Sequence, residues 1–207
     1  LRHTFWLLPQ YGGVKMCELL KKLLKQHSYF SKYDVIMAAG SGDDDRAKTD
    51  KALQEVEAKI GKQPWKTQTI TLSCGQLTTG ITVPSWTAVL MMNNLTSPAP
   101  YLQAAFRAQN PWRYDIDGDT YNKTDCYVFD FAPDRILKIV DNYANLVATR
   151  HVDSTRKQNI RKLINYLPVL SLDRTGQMSY LDAADVLEMP HYYDAKDIVE
   201  NGFMSNR

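Results

Sequence analysis

The chain has 207 residues, a net charge of +2, 44% hydrophobic and 23% charged side chains. That is enough for one good core plus a small appendage, and the composition is that of an ordinary globular domain, neither disordered nor steeply basic. No run approaches the ~18 apolar residues of a membrane span, so no membrane is expected as a partner. Three cysteines, Cys17, Cys74 and Cys126, are too far apart for a metal knuckle or a disulfide framework. They point to a reducing, cytoplasmic setting, in which the sequons at Asn94 and Asn122 carry no meaning. The opening Leu1-Arg2-His3-Thr4-Phe5-Trp6 reads straight into a strand without an initiator Met, as expected of a piece of something longer.

Phe5–Leu8 is a short apolar strand ended by Pro9. Val14–Gln26 reads as a helix with Met16, Leu19, Leu20, Leu23 and Leu24 inward. Tyr33–Ala39 is a second strand, closed by Gly40-Ser41-Gly42. Asp43, Asp44 and Asp45 favour the start of a helix over Lys51–Ile60, which turns Leu53, Val56 and Ile60 inward. Strands follow at Thr67–Leu72 and Ala88–Met92, a helix at Ala99–Ala108, and a strand at Cys126–Phe131. Pro133 suits the first position of a helix to about Thr149, with Ile136, Ile139, Val140, Tyr143 and Val147 inward. Short strands apolar on both faces, alternating with helices, predict an α/β fold: a parallel sheet flanked by helices over residues 1–149. Beyond Arg150 the texture changes. Residues 150–207 read as a small helical extension leading to a following domain, with helices capped by Ser154 and Ser179 and no convincing strand.

A doubly wound sheet binds ligands at the carboxyl ends of its strands. The loop Ser73–Pro84 holds two glycines beyond its strand, three threonines and a proline, whose hydroxyls and backbone amides suit phosphate contacts. Taken alone, such a loop is more often structural. Gln103 and Arg107 are four apart on a predicted helix and share a face at the sheet's rim. An arginine there can neutralise charge on a transferring phosphate; a surface ion pair is the plainer alternative.

The two segments in this order resemble a known family. Thr71-Leu-Ser-Cys-Gly-Gln-Leu-Thr-Thr-Gly-Ile-Thr-Val-Pro-Ser-Trp86 resembles motif V, and Gln103-Ala-Ala-Phe-Arg-Ala-Gln-Asn110 motif VI, of the superfamily 2 DEAD/DEAH-type helicases of restriction systems and mobile elements. Thr4-Phe-Trp-Leu-Leu-Pro9, Tyr33-Asp-Val-Ile-Met-Ala-Ala-Gly40 and the tail segments 181–190 and 201–205 are similar to the surroundings of these motifs. The resemblance implies the second, RecA-like lobe of an ATP-driven DNA motor. It implies Gly80 as the motif V glycine, Pro84 as its closing proline, and Thr82 at the ribose contact where many relatives have Asp. It implies Ser73, Cys74 and Gly40 near the nucleic-acid backbone, and Gln103 and Arg107 on the triphosphate. Asn110 stands where a second arginine is usual, so Arg107 is the preferred finger and Arg113 the substitute. ATP and Mg2+ would be held mainly by an upstream RecA-like lobe. No Gly-x-x-x-x-Gly-Lys-Ser/Thr occurs in this sequence, and Gly61-Lys62-Gln63 falls at a predicted helix end. The chain alone is therefore expected to be inactive.

Other candidates weigh less. Asp115-Ile-Asp117-Gly118-Asp119-Thr120 begins like a calcium loop, but its glycine comes too early and Cys126 takes the place of the last ligand. A solvated turn is the expected reading. His3, His27, His151 and His191 are scattered, and no nucleophile elbow is present. Trp65, Trp86 and Trp112 are expected as wall or core packing rather than as base-stacking platforms. A non-motor α/β nucleotide- or protein-binding module is the alternative class. A restriction nuclease is not expected in this segment.

Overall fold

Strand β1 (His3–Leu7) is buried at all five positions and sits in the middle of a parallel sheet. The computed structural model describes residues 1–38, 45–74, 81–132, 135, 138–139, 142, 158, 170–172 and 175–180. It divides the chain into two units: Leu1–Leu95 with Ala99–Phe131, and Thr96–Pro98 with Ala132–Arg207.

In the first unit the elements after β1 are α1 (Gly13–Gln26), β2 (Asp34–Ala38), α2 (Asp45–Ile60), β3 (Thr69–Ser73) and β4 (Ala88–Met91). Then come α3 (Pro98–Ala105), a 3-10 turn over Phe106–Gln109, a hairpin of β5 (Arg113–Ile116) and β6 (Asp119–Asn122), and β7 (Tyr127–Asp130). The sheet runs β2-β3-β1-β4-β7 with every pairing parallel. Side chains of β1 alternate between faces. Trp6 and Leu8 pack with Val35, Ile70 and Leu72 against Cys17 and Leu24 of α1. His3, Phe5 and Leu7 face the other way, where Trp86 lies 4.7 Å from Phe5 ring to ring. Right-handed crossovers out to β2 and back to β3 put α1 and α2 on opposite faces. Both faces of the central strands are thus covered, as the expected α/β class requires.

The inward stripe of α1 differs from the expected one. Cys17 and Leu24 are buried and Leu20 half-buried, while Leu19 and Leu23 are exposed by 60% and 54%. At about 100° per residue, Cys17, Leu20 and Leu24 share a stripe that Leu19 and Leu23 miss. A buried thiol behaves there as a small hydrophobe. Helix α2 begins at Asp45, six residues before the expected Lys51, and buries Ala52, Val56 and Ile60. It ends where Gly61, at φ +69°, donates its amide to the Glu57 carbonyl at 2.8 Å. Gly61-Lys62 is thus a helix stop, since glycine takes that left-handed conformation without a Cβ penalty.

The β5–β6 hairpin was not expected. Its two-residue turn has positive φ at both Asp117 (52°) and Gly118 (96°), the backbone that matches the twist of paired strands. The Thr120 hydroxyl donates to an Asp115 carboxylate oxygen at 2.6 Å across the pair. The segment read as a solvated turn is therefore a hairpin turn. Strand β7 has β4 as its neighbour in the sheet and leaves Tyr127, Val128 and Phe129 exposed.

In the second unit, β8 (Leu170–Leu172) and β9 (Met178–Tyr180) form an antiparallel hairpin. Ser179, expected to cap a helix, lies instead in β9, and this strand pair corrects the expectation of a helical region without strands. Apart from Gln158, the expected helix over 154–166 falls outside the described residues, as do the tail segments 181–190 and 201–205 and most of the helix after Pro133. No helix among the described residues is long and apolar enough to cross a membrane.

Candidate functional site

The chain leaves β1 toward β2 and leaves β4 toward β7, so the direction of winding switches between these two adjacent strands. The crevice of a doubly wound sheet lies outside such a pair. There the Met92 amide donates to the Leu7 carbonyl at 2.9 Å, and the Leu8 amide to the Ser73 carbonyl at 2.7 Å, fastening the ends of β4, β1 and β3 together.

Ser73 closes β3 and is fully buried. Cys74 follows, half-buried, with its Sγ 3.2 Å from the Cys17 Sγ and 3.5 Å from the Gly13 carbonyl. Burial pushes the Cys17 thiol up to about 12, and the hydrogen bond with Cys74 adds to the rise. The Cys74 thiol is thus turned toward Cys17 of α1. Gly40 and Gly80 lie outside the described residues. Thr82 is exposed.

Gln103 is exposed on α3. Arg107 lies one turn on, in the 3-10 segment, half-buried, where its Nη1 donates to the Ile81 carbonyl. A 3-10 turn advances about 120° per residue against about 100° in an α-helix. Gln103 and Arg107 are therefore not a pair within a single α-helix, since α3 ends at Ala105 between them. Desolvation by burial lowers the Arg107 pKa, although a guanidinium stays charged. Asn110, at the position of the usual second arginine, donates from Nδ2 to the Arg107 carbonyl at 3.2 Å and closes the 3-10 turn. Arg113 is exposed at the start of β5, in the hairpin rather than on a following helical turn.

Lys123 was not anticipated from the sequence. Its Nζ donates to the carbonyls of Pro84 (2.9 Å), Trp86 (3.0 Å) and Ala108 (2.8 Å). All three ammonium protons are thereby used, and burial lowers the pKa. Segment 81–86, the end of the motif V stretch, and segment 106–110, the end of the motif VI stretch, are held together by Arg107 from one side and Lys123 from the other. No short-range signal reveals this, because the acceptors are backbone carbonyls 15 to 39 residues away.

At the amino ends of β1, β4 and β7 lies a cavity of about 350 Å³. Trp65, Trp112, Tyr114 and Tyr127 contribute to its wall, with Arg2, Asn122, Lys123 and Asp125. Tyr114 stacks near-parallel (17°) with Trp65 and with Tyr121, both at 5.8 Å, and sits 4.3 Å from Trp112. His3 borders the same cavity but is fully used: its Nε2–H donates to the Pro64 carbonyl at 2.8 Å and its Nδ1 pairs with the Thr69 hydroxyl at 2.9 Å. Trp86 is wholly buried against Phe5 and belongs to the core. Among the described residues no group of three His, Cys, Asp or Glu side chains is placed to hold a metal ion.

Comparison with known proteins gives a relation to restriction enzymes. The chain is 30% identical over 149 residues, 72% of its length, to a Mycoplasma pneumoniae protein named as a type II restriction enzyme and methyltransferase, C-terminus. It spans 20% of that protein's length. No family model matches the chain.

Proposed function

We propose that this chain is the second motor lobe of an ATP-dependent DNA translocase or helicase in a restriction-type system. The observation that carries the reading is the bond from Arg107 to the Ile81 carbonyl, which joins the motif VI-like turn to the motif V-like segment. The all-parallel sheet and the likeness to a restriction enzyme and methyltransferase support it. ATP would meet Arg107, Gln103 and Thr82, a donor set of guanidinium, amide and hydroxyl suited to phosphate and ribose oxygens. An arginine that meets a transferring phosphate group stabilises the charge spread over its oxygens. The reading assigns Mg2+ to the upstream lobe, and DNA to the strand-end backbone around Ser73, Cys74 and Gly40.

The test is DNA-stimulated ATPase of the full-length protein. Arg107→Ala is expected to lower turnover by roughly 10³-fold, the scale of an arginine finger, and Arg113→Ala to leave it within about twofold. Undiminished turnover in Arg107→Ala with loss in Arg113→Ala transfers the finger to the hairpin. If neither variant changes turnover, the chain is a non-motor α/β module.

A further inference from the structure

The cavity at the amino ends of β1, β4 and β7 takes no part in the motor chemistry assigned to Arg107 and Gln103. Its lining is suited to a ligand of a different chemistry. At about 350 Å³ it lies within the roughly 300–1,000 Å³ usual for small-ligand sites. Four aromatic rings, Trp65, Trp112, Tyr114 and Tyr127, form part of the wall, and none of them is fully buried. Near-parallel Trp65, Tyr114 and Tyr121 make a stack that a further planar ring can extend.

Between the rings stand groups that read the edge of a heteroaromatic ring. Asn122 offers an amide with both donors and an acceptor. Asp125 offers carboxylate oxygens, one of which already accepts from the Thr124 hydroxyl at 2.8 Å. The cations divide cleanly. Lys123 has spent its three donors on three carbonyls, and His3 is held by Pro64 and Thr69. Arg2 is exposed at the cavity and supplies the positive charge a phosphate beside the ring needs. An aromatic stack, an edge-reading amide and carboxylate, and an exposed guanidinium together match a nucleotide of an unpaired strand. A base inside a duplex keeps its faces covered and cannot enter.

We propose that the cavity walled by Trp65, Trp112, Tyr114 and Tyr127 captures a nucleobase of single-stranded DNA, with Asn122 and Asp125 at the base edge and Arg2 at the adjoining phosphate. The site shares with the motor reading the nucleic acid and the clamping residue Lys123, and its test needs no ATP.

The experiment uses the purified protein without nucleotide and three fluorescent probes: a single-stranded dodecathymidylate, an abasic sugar-phosphate chain of equal length, and a duplex. The single strand is expected to bind at least about tenfold tighter than the abasic chain and to quench tryptophan emission, since stacking on an aromatic platform carries that order of affinity. Trp112→Ala is expected to bring the single strand down to the abasic level, and Trp112→Phe to restore most of the difference. Circular dichroism checks that each variant is folded; the comparison of probes on the parent protein stands even where Trp112→Ala is not. An abasic chain bound as tightly as the base-bearing one overturns the proposal, as does a duplex preferred over the single strand. Loss of ATPase in Arg107→Ala with no preference for bases refutes this site and leaves the motor reading intact. The reverse outcome does the opposite.

Discussion

Replacing Lys123 with methionine keeps the apolar stem and removes the ammonium that holds three backbone carbonyls. A hydrogen bond from a charged donor contributes roughly 1.5–3 kcal/mol net, and a buried carbonyl left without a donor costs about 1–3 kcal/mol. The three acceptors are not equivalent. The contact to Pro84 is exposed, so water replaces the lysine there, while those to Trp86 and Ala108 are part-buried. Two unsatisfied carbonyls give a loss of roughly 2–6 kcal/mol, and at about 2–4 °C per kcal/mol for a chain of this size Tm falls by roughly 4–24 °C. Urea unfolding followed by tryptophan emission reads it directly, because Trp86 is one of the residues whose carbonyl is held and its ring is buried against Phe5. Lys123→Arg should recover only part of the loss, since a planar guanidinium cannot aim three donors at converging carbonyls as a tetrahedral ammonium does. A Lys123→Met protein within about 0.5 kcal/mol of the parent, the range of an ordinary surface change, would falsify the clamp.

Two further outcomes concern titratable groups. Desolvation lowers the His3 pKa, against a smaller opposing effect of the Pro64 carbonyl. The unfolded chain then binds a proton near pH 6.5 that native His3 refuses. This stability is fully present above that pH and declines below it, by at most about 1.4 kcal/mol per pH unit, until the lowered native value is reached. A Tm–pH profile should show that acid slope and lose it in His3→Gln; an identical slope in the variant rules His3 out as its source. For the thiols, iodoacetamide at pH 8 should modify half-buried Cys74 and Cys126 in the folded protein and spare Cys17, whose thiol is wholly buried and pushed up to about 12. Peptide mass spectrometry that finds Cys17 labelled as fast as Cys74 contradicts the described packing.

The strands were legible because parallel strands covered on both faces read as apolar runs. Ala88–Met91 and Asp34–Ala38 fall within a residue of the expected Ala88–Met92 and Tyr33–Ala39. Misreadings arose where tertiary partners decide. Cys17 displaced Leu19 and Leu23 from the inner stripe of α1 because the sheet selects by angle and volume, not by hydropathy rank. The hairpin carried a local signal, Asp117-Gly118 between Tyr114-Asp115-Ile116 and Asp119-Thr120-Tyr121, which the abundance of carboxylates obscured. The aromatic cavity was half visible. Trp65 and Trp112 stand out in the sequence, but Tyr114 and Asn122 join them only once the hairpin pairs. Lys123 had no local signal at all.

Asn110 bears on why the motif VI resemblance is incomplete. Its amide caps the Arg107 carbonyl, while the Arg107 side chain reaches the Ile81 carbonyl and Lys123 binds Ala108 on the same turn. Three polar side chains are thereby committed to backbone oxygens within segments 81–86 and 106–110. A long second arginine at position 110 would give up the short amide that closes the turn. On the motor reading this has a consequence for coupling. A phosphate at Arg107 would compete with the Ile81 carbonyl for the Nη1 donors, and Ile81 lies in the segment that leads from β3 to Thr82 and to the carbonyls held by Lys123.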